Sequence, residues 1–307
     1  MRKQSLSLLF LLLFLPIKVF ASNLPNELLN IPITLLSGEQ TTLSKYNGKK
    51  PVYLKFWATW CQPCRKEMPH FEHVQQKYGS SIEIIGINLG INDDKESITN
   101  TIKEFGLTMP MAIDTNGDLA QAFHLMGTPY HLLFDKNMNL IHLGHKADKS
   151  LDNKLALVSQ THPVNLLDSD ALLENESNLT INTNDGDTHA LFFTATWCDW
   201  YLKESRPNIS KACVSAQKNV NFLSKKYSNI KWHELVSRLW TAEQDLAVYK
   251  KKYNIKHDIE IDKSNQLFHQ YSVKDLPTLI FIKNNKIIFN STELSNKEKL
   301  ENVLSRL

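Results

Sequence analysis

Cys61-Gln62-Pro63-Cys64 is the segment whose residue types and spacing can do chemistry. It follows a short, largely apolar run from Val52 to Trp57 and precedes a helix-like stretch from Arg65 to Tyr78, so Cys61 falls at a strand-to-helix junction. At a helix N-terminus the unpaired N–H groups and the macrodipole stabilise an anion, which favours a thiolate at Cys61. Three residues on, Cys64 lies on the same side of the first turn and can close a disulfide with it. A pair so placed supports a two-step exchange: the outer thiolate attacks a disulfide and the inner thiol resolves the mixed intermediate. Half of a zinc site and two inert core thiols are the competing uses. Zinc needs two further ligands at suitable spacing, and the other cysteines, Cys198 and Cys213, stand 15 residues apart in another part of the chain. Redox exchange is the leading reading, with no metal and no organic cofactor expected.

The elements that must position this pair occur twice. Phe56-Trp57-Ala58-Thr59-Trp60-Cys61 is answered by Phe193-Thr194-Ala195-Thr196-Trp197-Cys198 at an offset of 137. Lys103 to Leu107 faces Lys251 to Ile255, Asp114 faces Asp262 and Pro129 faces Pro277, all at an offset of 148. The chain reads as a duplicated unit with 11 extra residues in the second copy, between Cys198 and about Tyr227. In the first copy Ile82 to Leu89 reads as a buried strand, and Asp93 with Glu96 as a capping box for a helix carrying Ile98, Ile102 and Phe105. His131 to Phe134 and Leu140 to Leu143 flank a turn and read as a hairpin. In the second copy Thr241 with Gln244 opens a helix, and Thr278 to Ile282 and Ile287 to Asn290 flank Asn284-Asn285. Strand, helix, strand, helix, hairpin implies an α/β fold with a mixed sheet covered by helices.

The 307 residues exclude a single small domain, and 42% hydrophobic with 22% charged residues excludes a disordered or fibrous chain. Arg2 and Lys3, the apolar stretch Leu6 to Ile17 and the small residue at Ala21 spell a secretory signal over residues 1–21. That stretch is too short for the ~20 residues that span a bilayer. Without Arg2, Lys3 and Lys18 the 35 basic residues fall to 32, equal to the 32 acidic ones, so the charge excess that binds nucleic acid is missing. Residues 22–160 and 161–307 then form the two domains, with a junction near Gln160-Thr161-His162-Pro163. Export to a periplasmic or equivalent space permits disulfides to persist.

The contiguous segment Phe56-Trp57-Ala58-Thr59-Trp60-Cys61-Gln62-Pro63-Cys64-Arg65-Lys66-Glu67-Met68-Pro69 resembles the active-site segment of TlpA/ResA-like thioredoxin-fold proteins, exported bacterial thiol-disulfide oxidoreductases. The resemblance reaches back to Leu36-Ser37-Gly38 and Leu43-Ser44 and forward to Gly127-Thr128-Pro129, covering nearly all of the first copy. It implies two tandem thioredoxin-like domains, each a mixed central sheet flanked by helices. It also implies that Cys61 attacks and Cys64 resolves, and that Glu67 is an acidic residue near the inner thiol able to shuttle its proton. A first-turn glutamate that only steadies the helix is the alternative for Glu67. Pro129 would be cis, with Thr128 offering its backbone to an extended substrate segment, and Trp60, beside Cys61, would line the substrate groove. Lys55 departs from thioredoxin itself, whose strand carries a buried aspartate there; it either tunes a nearby thiolate or extends to the surface.

The second copy has lost the motif. Cys198-Asp199-Trp200-Tyr201 carries tyrosine where the second cysteine should stand, and Phe192 replaces Lys55. Along an unbroken helix Cys213 would lie ~22 Å from Cys198, beyond disulfide reach, unless Pro207 and the extra residues turn the chain back. A structural Cys198–Cys213 bond, two free thiols, and a relay reduced by the first copy all stay open. Leu276-Pro277-Thr278 keeps the cis-proline pattern, so this copy reads as a redox-degenerate docking or structural domain. The whole chain is expected to be an exported thiol-disulfide oxidoreductase that reduces protein disulfides through Cys61 and Cys64 and is recharged by a membrane-bound electron donor, without itself staying in the membrane. A disulfide isomerase or chaperone-like client binder is the alternative; a thiol peroxidase using Cys198 and Cys213 ranks below it.

Overall fold

A computed structural model describes residues 24–160, 167 and 178–306. The expected signal at 1–21, and the expected junction beyond Gln160, lie outside the described residues.

The first copy opens with α1 (Asn26–Leu29) and a small antiparallel pair, β1 (Ile33–Thr34) and β2 (Gln40–Thr41). Its main elements are β3 (Val52–Trp57), α2 (Gln62–Lys66), α3 (Met68–Tyr78), β4 (Glu83–Asn88), α4 (Lys95–Phe105), β5 (Met111–Ile113), α5 (Asp118–Ala122), β6 (Tyr130–Phe134), β7 (Leu140–Gly144) and α6 (Lys149–Ser159). The second contains β8 (Thr188–Thr194), α7 (Cys198–Tyr201), α8 (Pro207–Lys226), β9 (Lys231–Ser237), α9 (Glu243–Tyr253), β10 (Asp258–Asp262), α10 (Gln266–Gln270), β11 (Thr278–Lys283), β12 (Lys286–Ser291) and α11 (Lys297–Leu304). The sheets run β5-β4-β3-β6-β7 and β10-β9-β8-β11-β12, the same order in corresponding strands. In each, the first three strands are mutually parallel and the closing hairpin is antiparallel. The chain is thus two tandem thioredoxin-like α/β units.

Every residue of β3 is buried, as expected for a central strand covered on both faces. Along β8 the pleat sorts the side chains: Leu191 and Phe193 join the core that also contains the first copy, whereas Ala190 and Phe192 pack with Ala216, Val220 and Leu300 on the other face. The repeated Asp114 and Asp262 have one structural use. Asp114 accepts from the N–H groups of Leu119 and Ala120, and Asp262 from those of Gln266, Leu267 and Phe268, capping α5 and α10 from the strand ends. Burial pushes the Asp114 carboxyl up to about 6.

Three local expectations are corrected. The cap of α4 is Asp94, reciprocated by Ser97, one residue past the expected Asp93 and Glu96. On α9 Asp245 accepts from the N–H of Ala242, so the box is again shifted by one from Thr241 and Gln244. The expected helix from Arg65 is two helices, α2 and α3, which meet at Glu67. The extra residues of the second copy lengthen α8 to 20 residues against 11 in α3.

Candidate active site

β3 delivers the chain to a turn, Ala58 to Trp60, and Cys61 caps α2: its Sγ accepts from the N–H of Cys64 at 3.2 Å. Pro63, in the first turn of α2, has no N–H to satisfy and a preset φ. Cys61 and Cys64 are bonded to each other with Cα atoms 5.2 Å apart. The Thr128–Pro129 peptide is cis. Register pairs Phe56 with Tyr130, so Pro129 sits at the end of β3 from which the cysteine turn departs. His145 Nδ1 lies 2.9 Å from the Pro129 carbonyl oxygen, fixing that loop from β7's side.

Glu67, at the break between α2 and α3, is held from three directions. Its Oε2 accepts from Lys55 Nζ at 3.0 Å and faces His131 Nε2 at 3.1 Å, and its Oε1 accepts from the Ala147 N–H at 2.9 Å. His131 Nδ1 in turn lies 2.7 Å from the Tyr53 hydroxyl. Burial opposes ionisation of Glu67, but His131, the Lys55 ammonium and the Ala147 N–H outweigh it and bring the carboxyl down to about 2. Lys55 is fully buried, so desolvation lowers its ammonium to about 8 despite the facing carboxylate. Burial likewise lowers His131. Lys55 therefore does not reach the surface; it is the counter-ion of Glu67. In this oxidised state Glu67 is a pinned carboxylate, facing a Lys55 ammonium lowered to about 8. His131 and Tyr53 had no motif to mark them. Their signal was a polar residue interrupting each of two apolar strands, which the register places opposite one another: Lys55 and His131.

Cys61, expected to be the outer thiol of the pair, is fully buried in the structure, as is Cys64. The degenerate motif of the second copy lies over the residues that flank Cys61. Trp60, expected to line an open groove, stacks on Trp197 with ring centroids 5.0 Å apart and meets Tyr201 and Trp240 edge-on. The N–H of Gln62 donates to the Tyr201 hydroxyl at 3.1 Å. Arg206 Nη2 donates to Thr59 Oγ1 at 2.7 Å and approaches Asp93 Oδ1 at 3.3 Å. Asp93, freed from capping α4, accepts from the N–H and hydroxyl of Thr59 and from Asn88 Nδ2.

In the second copy Cys198 and Cys213 are bonded, with Cα atoms 6.1 Å apart; the break between α7 and α8 returns the chain and brings them together. Leu276–Pro277 is also cis. Beside α7 an aromatic cleft of about 530 Å³ is lined by Trp197, Trp200, Tyr201, Trp240, Val248 and Tyr249. Trp200 is 60% and Val248 68% exposed. Among the described residues no cluster of His, Cys, Asp and Glu is arranged to hold a metal ion, and no helix is long and apolar enough to cross a membrane.

Comparison with known proteins matches residues 25–143 to the AhpC/TSA family. The chain is 35% identical over 125 residues to thioredoxin-like protein YneN of Bacillus subtilis, covering 40% of this chain and 72% of that one. It is 38% identical over 106 residues to the thiol-disulfide oxidoreductase ResA of Geobacillus kaustophilus, covering 34% of this chain and 59% of the relative. With ResA of Bacillus thuringiensis subsp. konkukian the figures are 34% over 113 residues, 36% and 64%, so the chain spans less than two thirds of either ResA. Among solved structures, StoA from Bacillus subtilis aligns at 24% identity with a TM-score of 0.35, covering 40% of this chain and 92% of its own.

Proposed function

Because the chain belongs to the AhpC/TSA family and, within it, to the ResA-like thiol-disulfide oxidoreductases, we propose that it reduces protein disulfides in an exported compartment through Cys61 and Cys64. The observation that carries this is Cys61 as the cap of α2, its sulfur already accepting the Cys64 N–H. In the reduced protein that bond and the helix dipole favour a Cys61 thiolate. The thiolate attacks one sulfur of a substrate disulfide, forming a mixed disulfide and expelling the other substrate sulfur as a thiolate. Cys64, losing its proton, then attacks Cys61 Sγ; the substrate's second sulfur leaves, and the two electrons of the dithiol have passed to the substrate. Thr128 and the cis Pro129 offer an edge for the extended substrate, and a membrane-bound donor restores the dithiol. Glu67, whose carboxylate Lys55, His131 and the Ala147 N–H hold ionised, is too weak a base to keep the proton of the inner thiol; its part is to balance the charge of the buried Lys55.

The test is covalent trapping. Cys64→Ser leaves Cys61 joined to its substrate, while Cys61→Ala abolishes disulfide reduction. Trapping through Cys64 in a Cys61→Ser variant would reverse the roles, and full activity in Cys61→Ala would refute the proposal. The client-binding alternative draws on the aromatic cleft with its exposed Trp200 and Val248. The peroxide-reducing alternative gains nothing from the family match, which ends at residue 143, before Cys198 and Cys213.

A further inference from the structure

The two copies meet through equivalent surfaces. The N–H of Asn92 donates to the Lys274 carbonyl at 3.0 Å, and the N–H of Trp240 donates to the Met126 carbonyl at 2.8 Å. The offset of 148 carries Asn92 onto Trp240 and Met126 onto Lys274, so these are one contact made twice in opposite senses. Gly117 and Asn265, related by the same offset, face each other, and the stacked Trp60 and Trp197 are related by the offset of 137. The arrangement is that of an isologous dimer built within one chain.

The equivalence breaks where the chemistry lies. Tyr201 stands at the position of the lost resolving cysteine, and its hydroxyl holds the N–H of Gln62, between the two active-site cysteines. The Trp240 ring lies against Gly127, where a Cβ would come within 2.5 Å of Trp240 Cδ1, immediately before Thr128 and Pro129. Arg206, from the lengthened segment, reaches Thr59 and the buried Asp93. Residues 59, 60, 62 and 127, which surround Cys61 in sequence or across the cis-proline edge, each carry a contact from the second copy. In return, Asn92 Oδ1 accepts the N–H of Leu276, the residue before the second cis proline. The backbone edge that was expected to survive as a docking groove in the second copy is therefore filled by the first.

We propose that the second copy is a self-docked cap that occupies the substrate face of the first, so that Cys61 reacts only in an opened state in which Trp240, Tyr201 and Arg206 have left it. This rests on the reading of Cys61 as the attacking thiol, but the cap itself is a matter of access. A protein disulfide competes with the chain's own second copy for the Pro129 edge. The residues that set this competition are Tyr201, Arg206 and Trp240, none of which touches the cysteines' chemistry.

The experiment is alkylation of fully reduced protein with iodoacetamide, followed at Cys61 by mass spectrometry, in native buffer and in urea. An open state populated at about 0.1–10% slows native labelling about 10- to 1,000-fold relative to the unfolded chain. A lowered thiol pKa acts in the opposite direction, so it cannot mimic this protection. Arg206→Ala, which removes the cross-copy ion pair, and Gly127→Ala, which displaces Trp240, each speed native labelling by about tenfold or more. Wild-type Cys61 labelling as fast in native buffer as in urea, measured above the free-thiol pKa of about 8.5 so that both thiols are ionised, overturns the cap without any variant having to fold. Protection unchanged in folded Arg206→Ala and Gly127→Ala also overturns it. Should Cys61→Ala keep its reductase activity, the catalytic reading fails while the labelling result stands on its own.

Discussion

Glu67→Gln tests the buried pair beneath the active site most directly. Lys55 is wholly buried and the Glu67 side chain is 19% exposed, with 3.0 Å between nitrogen and oxygen. The carboxyl's descent from 4.5 to about 2 is worth about 3 kcal/mol at 1.36 kcal/mol per unit. The amide would also leave the Lys55 charge buried without a partner, and breaking such pairs costs about 3–5 kcal/mol. A loss of about 3–5 kcal/mol near pH 6 is therefore expected. The pH dependence has a definite sign. The Glu67 contribution is complete above pH 4.5 and is lost as pH falls from there towards about 2. Lys55, lowered from 10.5 to about 8, binds its proton more tightly in the unfolded chain, so folding is strengthened as pH rises between about 8 and 10.5. In Glu67→Gln the raising influence of the carboxylate is gone and burial alone acts on Lys55, which sheds its proton at lower pH than in wild type. The variant thus begins to recover before wild type changes, and the gap narrows from pH 6 towards pH 8. Urea unfolding of the oxidised protein at pH 6 and pH 8.5, followed by circular dichroism, measures both gaps. Adding Lys55→Met should restore most of the loss, since an apolar pair needs no counter-charge. A loss below about 1 kcal/mol at pH 6, or an equal loss at both pH values, would refute the assignment of Lys55 and Glu67 as a charged pair.

Two further outcomes are expected. Gln62-Pro63 lacks the histidine that stabilises the thiolate of strong oxidants, so a redox titration of Cys61–Cys64 should fall nearer about −270 mV than about −120 mV, and a value above roughly −150 mV would make the protein an oxidase. Replacing Cys198 and Cys213 together by alanine opens a loop of 15 residues and should cost the second copy about 3 kcal/mol in thermal or denaturant unfolding, whereas reduction of that bond by the Cys61–Cys64 dithiol within one turnover would identify a relay instead of a staple.

The duplicated fold was legible because its signals are local: apolar runs such as Val52 to Trp57, a cysteine pair at a helix start, and Pro129 and Pro277 in matching places. Cap positions slipped by one residue at Asp94 and Asp245, because neighbouring acidic or hydroxyl residues compete for the same free N–H groups. The environment of the cysteines was not legible. Glu67 meets His131 across 64 residues and Arg206 meets Thr59 across 147, and no short-range periodicity records such pairs. Trp60 was expected to line a substrate groove beside Cys61, and its ring packs instead on Trp197 of the same chain, a contact across 137 residues.

Carrying both halves of the reciprocal contact on one polypeptide changes what dilution can do. Two separate subunits joined by such a surface would come apart as their concentration fell, and reactivity would track the amount of protein present. Here the halves face each other on one chain, so their meeting is intramolecular and has a fixed effective concentration. The fraction of opened molecules is then the same in a dense compartment and in a dilute extract, and a free fragment of either half must approach that concentration before it can intrude.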